Sequence, residues 1–126
     1  MIIKKPEDFQ YLSDKLDRVL HDILKKVNTP ILGKKNVGDN FTVTDESFLG
    51  VDTKNGAVTI TLPAPSDYEN KFLIIKDEGG LAGTNNITVA FSTGSDYNID
   101  GSSTATISAN YGALSLYATN LEWFSF

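Results

Sequence analysis

A break near Pro30 divides this sequence into two stretches whose apolar residues follow different periods. Before it, Phe9, Leu12, Leu16, Val19 and Ile23 recur at intervals of 3, 4, 3 and 4, which places them on one stripe of a helix. After it, apolar runs alternate with polar residues and end in Gly, Asn, Asp or Pro, as short half-buried strands do. No single regular structure satisfies both periods. The expected chain is therefore an N-terminal helix followed by a β-domain.

The helix has signals at both ends. Pro6 suits a first turn, and Glu7 and Asp8 complement the positive end of the dipole. Lys25 and Lys26 sit near the opposite end, and Asn28-Thr29-Pro30 stops the helix because proline disfavours helical geometry in the residue before it. With Phe9 at position a, Leu16 and Ile23 are also a, while Leu12 and Val19 are d. The heptad lapses at Lys26, where Val27 takes over at a four-residue step. Leu20 lies beside the seam, and such a flanking apolar residue favours three or more strands over two. The expectation is a short trimeric coiled coil with Phe9, Leu12, Leu16, Val19, Leu20, Ile23 and Val27 between subunits. The same stripe would also serve a single helix lying on its own β-domain.

Beyond a linker over residues 31–39, strands are expected at Phe41–Thr44, Ser47–Asp52, Ala57–Leu62, Phe72–Asp77, Ile87–Ser92, Tyr97–Ile99, Thr104–Ser108, Ala113–Thr119 and Glu122–Phe126. Val58, Ile60 and Leu62 alternate with Thr59 and Thr61, giving one dry face and one wet one. Asn55-Gly56, Asp100-Gly101 and Asn120-Leu121 suit tight turns, since Asn and Gly tolerate positive φ. Short strands at about ten-residue spacing point to an antiparallel β-sandwich or small barrel over residues 40–126. The final Leu-Glu-Trp-Phe-Ser-Phe is expected to pair or to be covered by a neighbouring subunit.

Composition removes several functions. With no cysteine, disulfides and thiolate chemistry are excluded. Residues 1–36 carry eight Lys and Arg against five acids, while residues 37–126 carry three Lys against eleven acids. A β-domain of net charge −8 repels phosphate backbones, so nucleic acid is not an expected partner. No apolar run approaches the roughly 20 residues of a membrane span, and the N-terminus lacks the apolar core of an export signal. His21, the one histidine, falls on the polar side of the helix and has no local triad partners.

Asp96-Tyr-Asn98-Ile-Asp100-Gly101 begins like a calcium loop, but Ile107 stands where the twelfth-position acid is needed. Lys76-Asp-Glu-Gly79-Gly80-Leu-Ala-Gly83 lacks the Gly-Lys-Ser/Thr ending of a phosphate loop and carries two acids. It is expected to be a surface loop, where recognition residues often lie. No catalytic residue, metal site or cofactor is expected.

The ordered run Val58-Thr-Ile-Thr-Leu62-Pro63, Phe72-Leu-Ile-Ile-Lys76-Asp77, Asn86-Ile-Thr-Val, Ile99-Asp-Gly101, Tyr111-Gly-Ala-Leu-Ser-Leu-Tyr117 and Trp123 resembles β-domains of tailed-bacteriophage fibres and related virion appendages. The similarity covers about residues 48–126, and order and spacing carry it more than any one motif. The resemblance implies a homotrimeric, virion-exposed structural protein made in the host cytoplasm. Its short length favours a head fibre or capsid-decoration protein over a long tail fibre. In that setting the basic start, with Ile2, Ile3, Lys4 and Lys5, is the expected anchor on other virion proteins of the capsid or tail. A receptor-binding or carbohydrate-binding module is the alternative, with Tyr68 and Tyr111 as the loop aromatics that would face a host glycan or protein. A tailspike-like hydrolase would need two acids about 5–10 Å apart; Asp45, Asp67 and Asp96 are available, but sequence places no pair.

Overall fold

The computed structural model describes residues 11–20 and 33–126. The chain divides into two compact units, Met1–Ile31 and Leu32–Phe126. In the first, residues 11–20 are helical as expected. Lys15 lies 5.3 Å from the Tyr11 ring centroid, a contact one helical turn apart. Leu12 is half-buried, whereas Leu16, Val19 and Leu20 are 59%, 53% and 47% exposed. Phe9, Ile23 and Val27 of the expected seam, the anchor residues Ile2, Ile3, Lys4 and Lys5, and His21 lie outside the described residues.

The second unit is mainly β. Its strands are β1 (Lys34–Val37), β2 (Phe41–Thr42), β3 (Phe48–Val51), β4 (Val58–Leu62), β5 (Phe72–Asp77), β6 (Ile87–Phe91), β7 (Ala105–Ile107), β8 (Ala113–Ala118) and β9 (Trp123–Ser125). A 3-10 turn at Pro65–Tyr68 follows β4. Two mixed sheets result, ordered β1-β3-β5-β8-β9 and β2-β4-β6-β7.

The antiparallel expectation is corrected here. Through β6 the chain alternates between sheets, so each strand pairs with the one two places earlier and runs in the same direction. Thus Lys34 pairs with Phe48 and Phe48 with Ile74, while Val58 pairs with Ile87. Only β7, β8 and β9 add antiparallel partners. Local alternation fixes which face of a strand is dry but says nothing about its neighbour's direction.

Two further expectations change. The supposed linker contains β1, whose Lys-Lys-Asn-Val has no apolar alternation and is held by its ladder to β3. Residues 97–99 form no strand, although Ile99 bridges to Ser102 and Trp123 on either side of the Asp100-Gly101 turn.

Both sheets turn one face toward a common cluster. Leu49, Val51, Leu73, Ile75, Leu116 and Trp123 come from the five-stranded sheet, and Val58, Ile60, Leu62, Ile87, Val89 and Ile107 from the other. Each is at most 5% exposed, which removes most of its apolar area from water. Trp123 is fully buried, its ring centroid 5.1 Å from that of Tyr68, and its Nε1–H donates to the Pro63 carbonyl at 3.1 Å. The polar end of the indole is thereby satisfied inside the core.

Candidate functional site: a locked loop and an aromatic sheet face

Residue parity on β5 puts Leu73, Ile75 and Asp77 on the same inward face, so the strand carries a carboxylate into the interior. Asp77 is fully buried yet well supplied with donors. Thr53 Oγ1 donates to it at 2.7 Å, and the backbone N–H groups of Gly80, Ala82 and Tyr111 each donate at 3.0 Å. Burial pushes this carboxyl up, but the Thr53, Ala82, Tyr111 and Gly80 bonds outweigh it and hold the group below its ordinary range. The carboxylate ties three pieces of chain together: Thr53 just beyond β3, the glycine-rich loop after β5, and the turn before β8. Asn85 adds a bond from its Nδ2 to the Thr53 carbonyl at 2.6 Å, and Asn110 Oδ1 accepts from Gly83 N–H at 2.8 Å.

One result of this lock is the placement of Tyr111. Its backbone has φ +60°, a region that non-glycine residues seldom occupy. Its ring lies so close over Gly80 that a Cβ there would come within 2.4 Å of the ring, and Gly80 itself has φ +80°. Tyr111 is 61% exposed, and its carbonyl accepts a hydrogen bond from Lys76 Nζ. The expectation of an accessible loop aromatic holds for Tyr111.

It fails for Tyr68. That side chain is fully buried, with its hydroxyl donating to the Glu46 carbonyl, so it cannot present a ring to a ligand. Burial, followed by the nearby Glu46 and Asp45 charges, pushes its hydroxyl pKa up. The 3-10 turn carries Tyr68 beneath the sheet edge instead of onto the surface; a short Pro-Ser-Asp-Tyr segment does not reveal which way it faces.

The outward face of the five-stranded sheet is unusually apolar along β5, β8 and β9. Phe72 pairs with Tyr117 and Tyr117 with Phe124, forming one row across three strands. Tyr117 stacks on Phe124 at 5.6 Å and lies 5.9 Å from Phe126, and Phe48 meets Phe72 edge-on at 5.8 Å. Tyr117 is 42% and Phe126 72% exposed. Beside this row, Lys34, Phe48, Gly50, Ile74, Lys76 and Glu78 line a shallow cavity of about 240 Å³. Lys34 and Glu78 form an exposed ion pair at 2.8 Å over Gly50, a contact of little stabilising value in water.

Two further described acids, Glu46 and Asp100, have structural partners. Glu46 accepts from the backbone N–H groups of Thr44 and Asp45, at 3.2 and 3.0 Å, and from Thr44 Oγ1 at 2.9 Å. Burial raises the Glu46 carboxyl, but these bonds bring it below its ordinary range. Asp100 accepts from Ser125 Oγ and from Ser125 N–H at 3.1 Å, tying its turn to β9. Among the described residues no group of three acidic or histidine side chains could hold a metal. No helix among them is long and apolar enough to cross a membrane.

The aromatic row had a sequence signal that alternation alone hid: apolar residues occupy both parities of Phe72-Leu-Ile-Ile and of Trp123-Phe-Ser-Phe. Compared with known proteins, the chain matches no family model and no curated sequence.

Proposed function

We propose that this chain is a non-enzymatic structural protein of a tailed-bacteriophage virion, a homotrimeric head fibre or capsid-decoration protein that displays a β-sandwich head on the particle surface. The observation that carries the reading is the uncovered apolar stripe of the helix, where Leu16 and Val19 are more than half exposed. A lone helix in water gains nothing from such a stripe, whereas a bundle of copies buries it. The motif order over residues 48–126 supplies the virion context by resemblance. The buried acids Asp77 and Glu46 are engaged by backbone and hydroxyl donors, which suits a structural role. In this reading the basic N-terminal residues grip capsid or tail proteins and the acidic head faces outward.

Sedimentation of the full chain tests the assembly: the expected species contains three 13.7 kDa subunits. Leu16→Asp should dissociate it, because an unpaired charge buried in the seam costs several kcal/mol. A monomer at micromolar concentration would overturn the trimer, and gold-labelled antibody that fails to decorate particles would overturn the virion placement.

Tyr111 favours a second reading, a receptor-binding or carbohydrate-binding module. Its exposed ring, laid on Gly80, is the kind of flat apolar surface on which a sugar ring packs. Glycan-array signal lost in Tyr111→Ala with unchanged melting would support this role; an array without hits would count against it.

A further inference from the structure

We propose that Asn55-Gly56 is a self-modifying site, at which the folded head converts its own asparagine amide to a carboxylate with water as the only co-reactant. Asn55 is the one asparagine of the chain that a glycine follows. The pair stands in the connection from β3 to β4, with Asn55 exposed and Gly56 half-buried.

The bonding around the pair is the first argument. Up to Lys54 the connection is pinned: Asp52 N–H donates to the Val37 carbonyl at 2.8 Å, and Lys54 N–H donates to Asp52 Oδ1 at 3.0 Å. The chain is fixed again at Val58, whose N–H donates to the Asn86 carbonyl at 3.2 Å. Between these points, among the described residues, nothing hydrogen-bonds the Asn55 side chain or the Gly56 N–H. A Cβ on Gly56 would meet nothing within 4 Å, so a ring closing there has room. Gly56 also has φ +148°, which glycine adopts without steric cost.

The other loop amides are the second argument, because the fold uses them. Asn40 Oδ1 accepts from Thr59 N–H at 2.8 Å, Asn85 Nδ2 donates to the Thr53 carbonyl at 2.6 Å, and Asn110 Oδ1 accepts from Gly83 N–H at 2.8 Å. Each must give up that bond before its side chain can react. Asp100-Gly101 is the closest chemical parallel, but Ser125 holds that carboxylate through its Oγ and its N–H. Asn55 alone joins an unengaged amide to an unshielded glycine nitrogen.

The chemistry balances with solvent. The Gly56 nitrogen loses its proton and attacks Asn55 Cγ; the N–Cγ bond forms, the Cγ–Nδ2 bond breaks, and Nδ2 leaves with a proton as ammonia. Water then opens the five-membered imide at either carbonyl. One opening leaves an ordinary aspartate at position 55, and the other leaves an isoaspartate whose main chain is longer by one methylene. Either product carries one more negative charge than the −5 of the fresh chain.

The test ages the full chain at body temperature, in mildly acidic and mildly alkaline buffer, beside a synthetic peptide of residues 53–58. Peptide mapping by mass spectrometry should show a gain of about one dalton confined to the fragment holding Asn55, faster in the alkaline buffer. Heavy-oxygen water should label that fragment, and an isoaspartate-specific methyltransferase should methylate it. The folded chain should age at a rate comparable to the peptide's. Asn55→Gln should lose the gain, because its longer side chain closes a less favourable ring. Trp123 fluorescence reports that the chain stays folded throughout. A folded chain that keeps its Asn55 amide while the peptide loses it would overturn the proposal, since the turn would then protect the site. So would an earlier gain at Asn40, Asn85 or Asn110, or a gain that persists in Asn55→Gln.

Discussion

A carboxylate beneath a glycine-rich loop destabilises a fold unless donors surround it, and Asp77 has four. Asp77→Asn keeps the shape but turns one acceptor oxygen into a donor facing backbone N–H groups. Urea denaturation should register a loss of about 2–3 kcal/mol, the usual worth of hydrogen bonds to a charged group. Trp123→Ala removes the largest fully buried side chain and should cost about 3–5 kcal/mol, read from the same curves. As the single tryptophan, Trp123 should emit at short wavelength in the folded protein and shift red on unfolding. The burial of Asp77 departs from the expected surface loop beginning at Lys76, and the signal that pointed inward was its parity with Leu73 and Ile75. The inward turn of Tyr68 had no such signal, because nothing local distinguishes a 3-10 turn tucked under a sheet from one standing proud of it.

Among the elements, the glycines that flank Asp77 behave differently from Gly50. A Cβ at Gly79 would lie 2.4 Å from the backbone nitrogen of Thr53, which the Asp77 lock holds in place. At Gly50 the clash is with the Glu78 carboxylate, the mobile end of an exposed side chain. Gly79→Ala should therefore lower the melting temperature by several degrees or more, whereas Gly50→Ala should displace Glu78 and move it little. Equal shifts in calorimetry would contradict that account of the loop. The strand expectations fared well where the apolar signal was strong: β4 falls on the alternation of Val58, Ile60 and Leu62, and β5 on the apolar run that opens Phe72–Asp77. β1 was illegible because Lys34 and Lys35 gain their strand geometry from β3 rather than from their own side chains. Parallel pairing was illegible for a related reason, since it joins residues 14 and 26 positions apart in the chain and is not a property of any one segment.

For the molecule as a whole, the two buried carboxyls Asp77 and Glu46 are expected to set the acid limit of stability. Both carboxyls lie below their ordinary values when folded. Each therefore contributes stability that is complete above the unfolded carboxylate range, near pH 4, and is lost as pH falls through the lower folded value. The melting temperature should be flat from about pH 7 to pH 5 and then fall, less steeply in Asp77→Asn; a decline already present near pH 6 would show that other groups dominate. The change of period near Pro30 falls beside the division of the chain into the units Met1–Ile31 and Leu32–Phe126.

The sheet order has a mechanical corollary. Because β9 opposes β8 and β8 opposes β5, β9 runs in the same direction as β1 at the far edge of the sheet. Tension applied between Lys34 and Ser125 therefore pulls along the strands, and loads the β1–β3 rungs together instead of peeling them one after another. A head tethered through the segment before β1 and tugged near β9 is loaded in shear, the orientation in which a hydrogen-bonded ladder yields last.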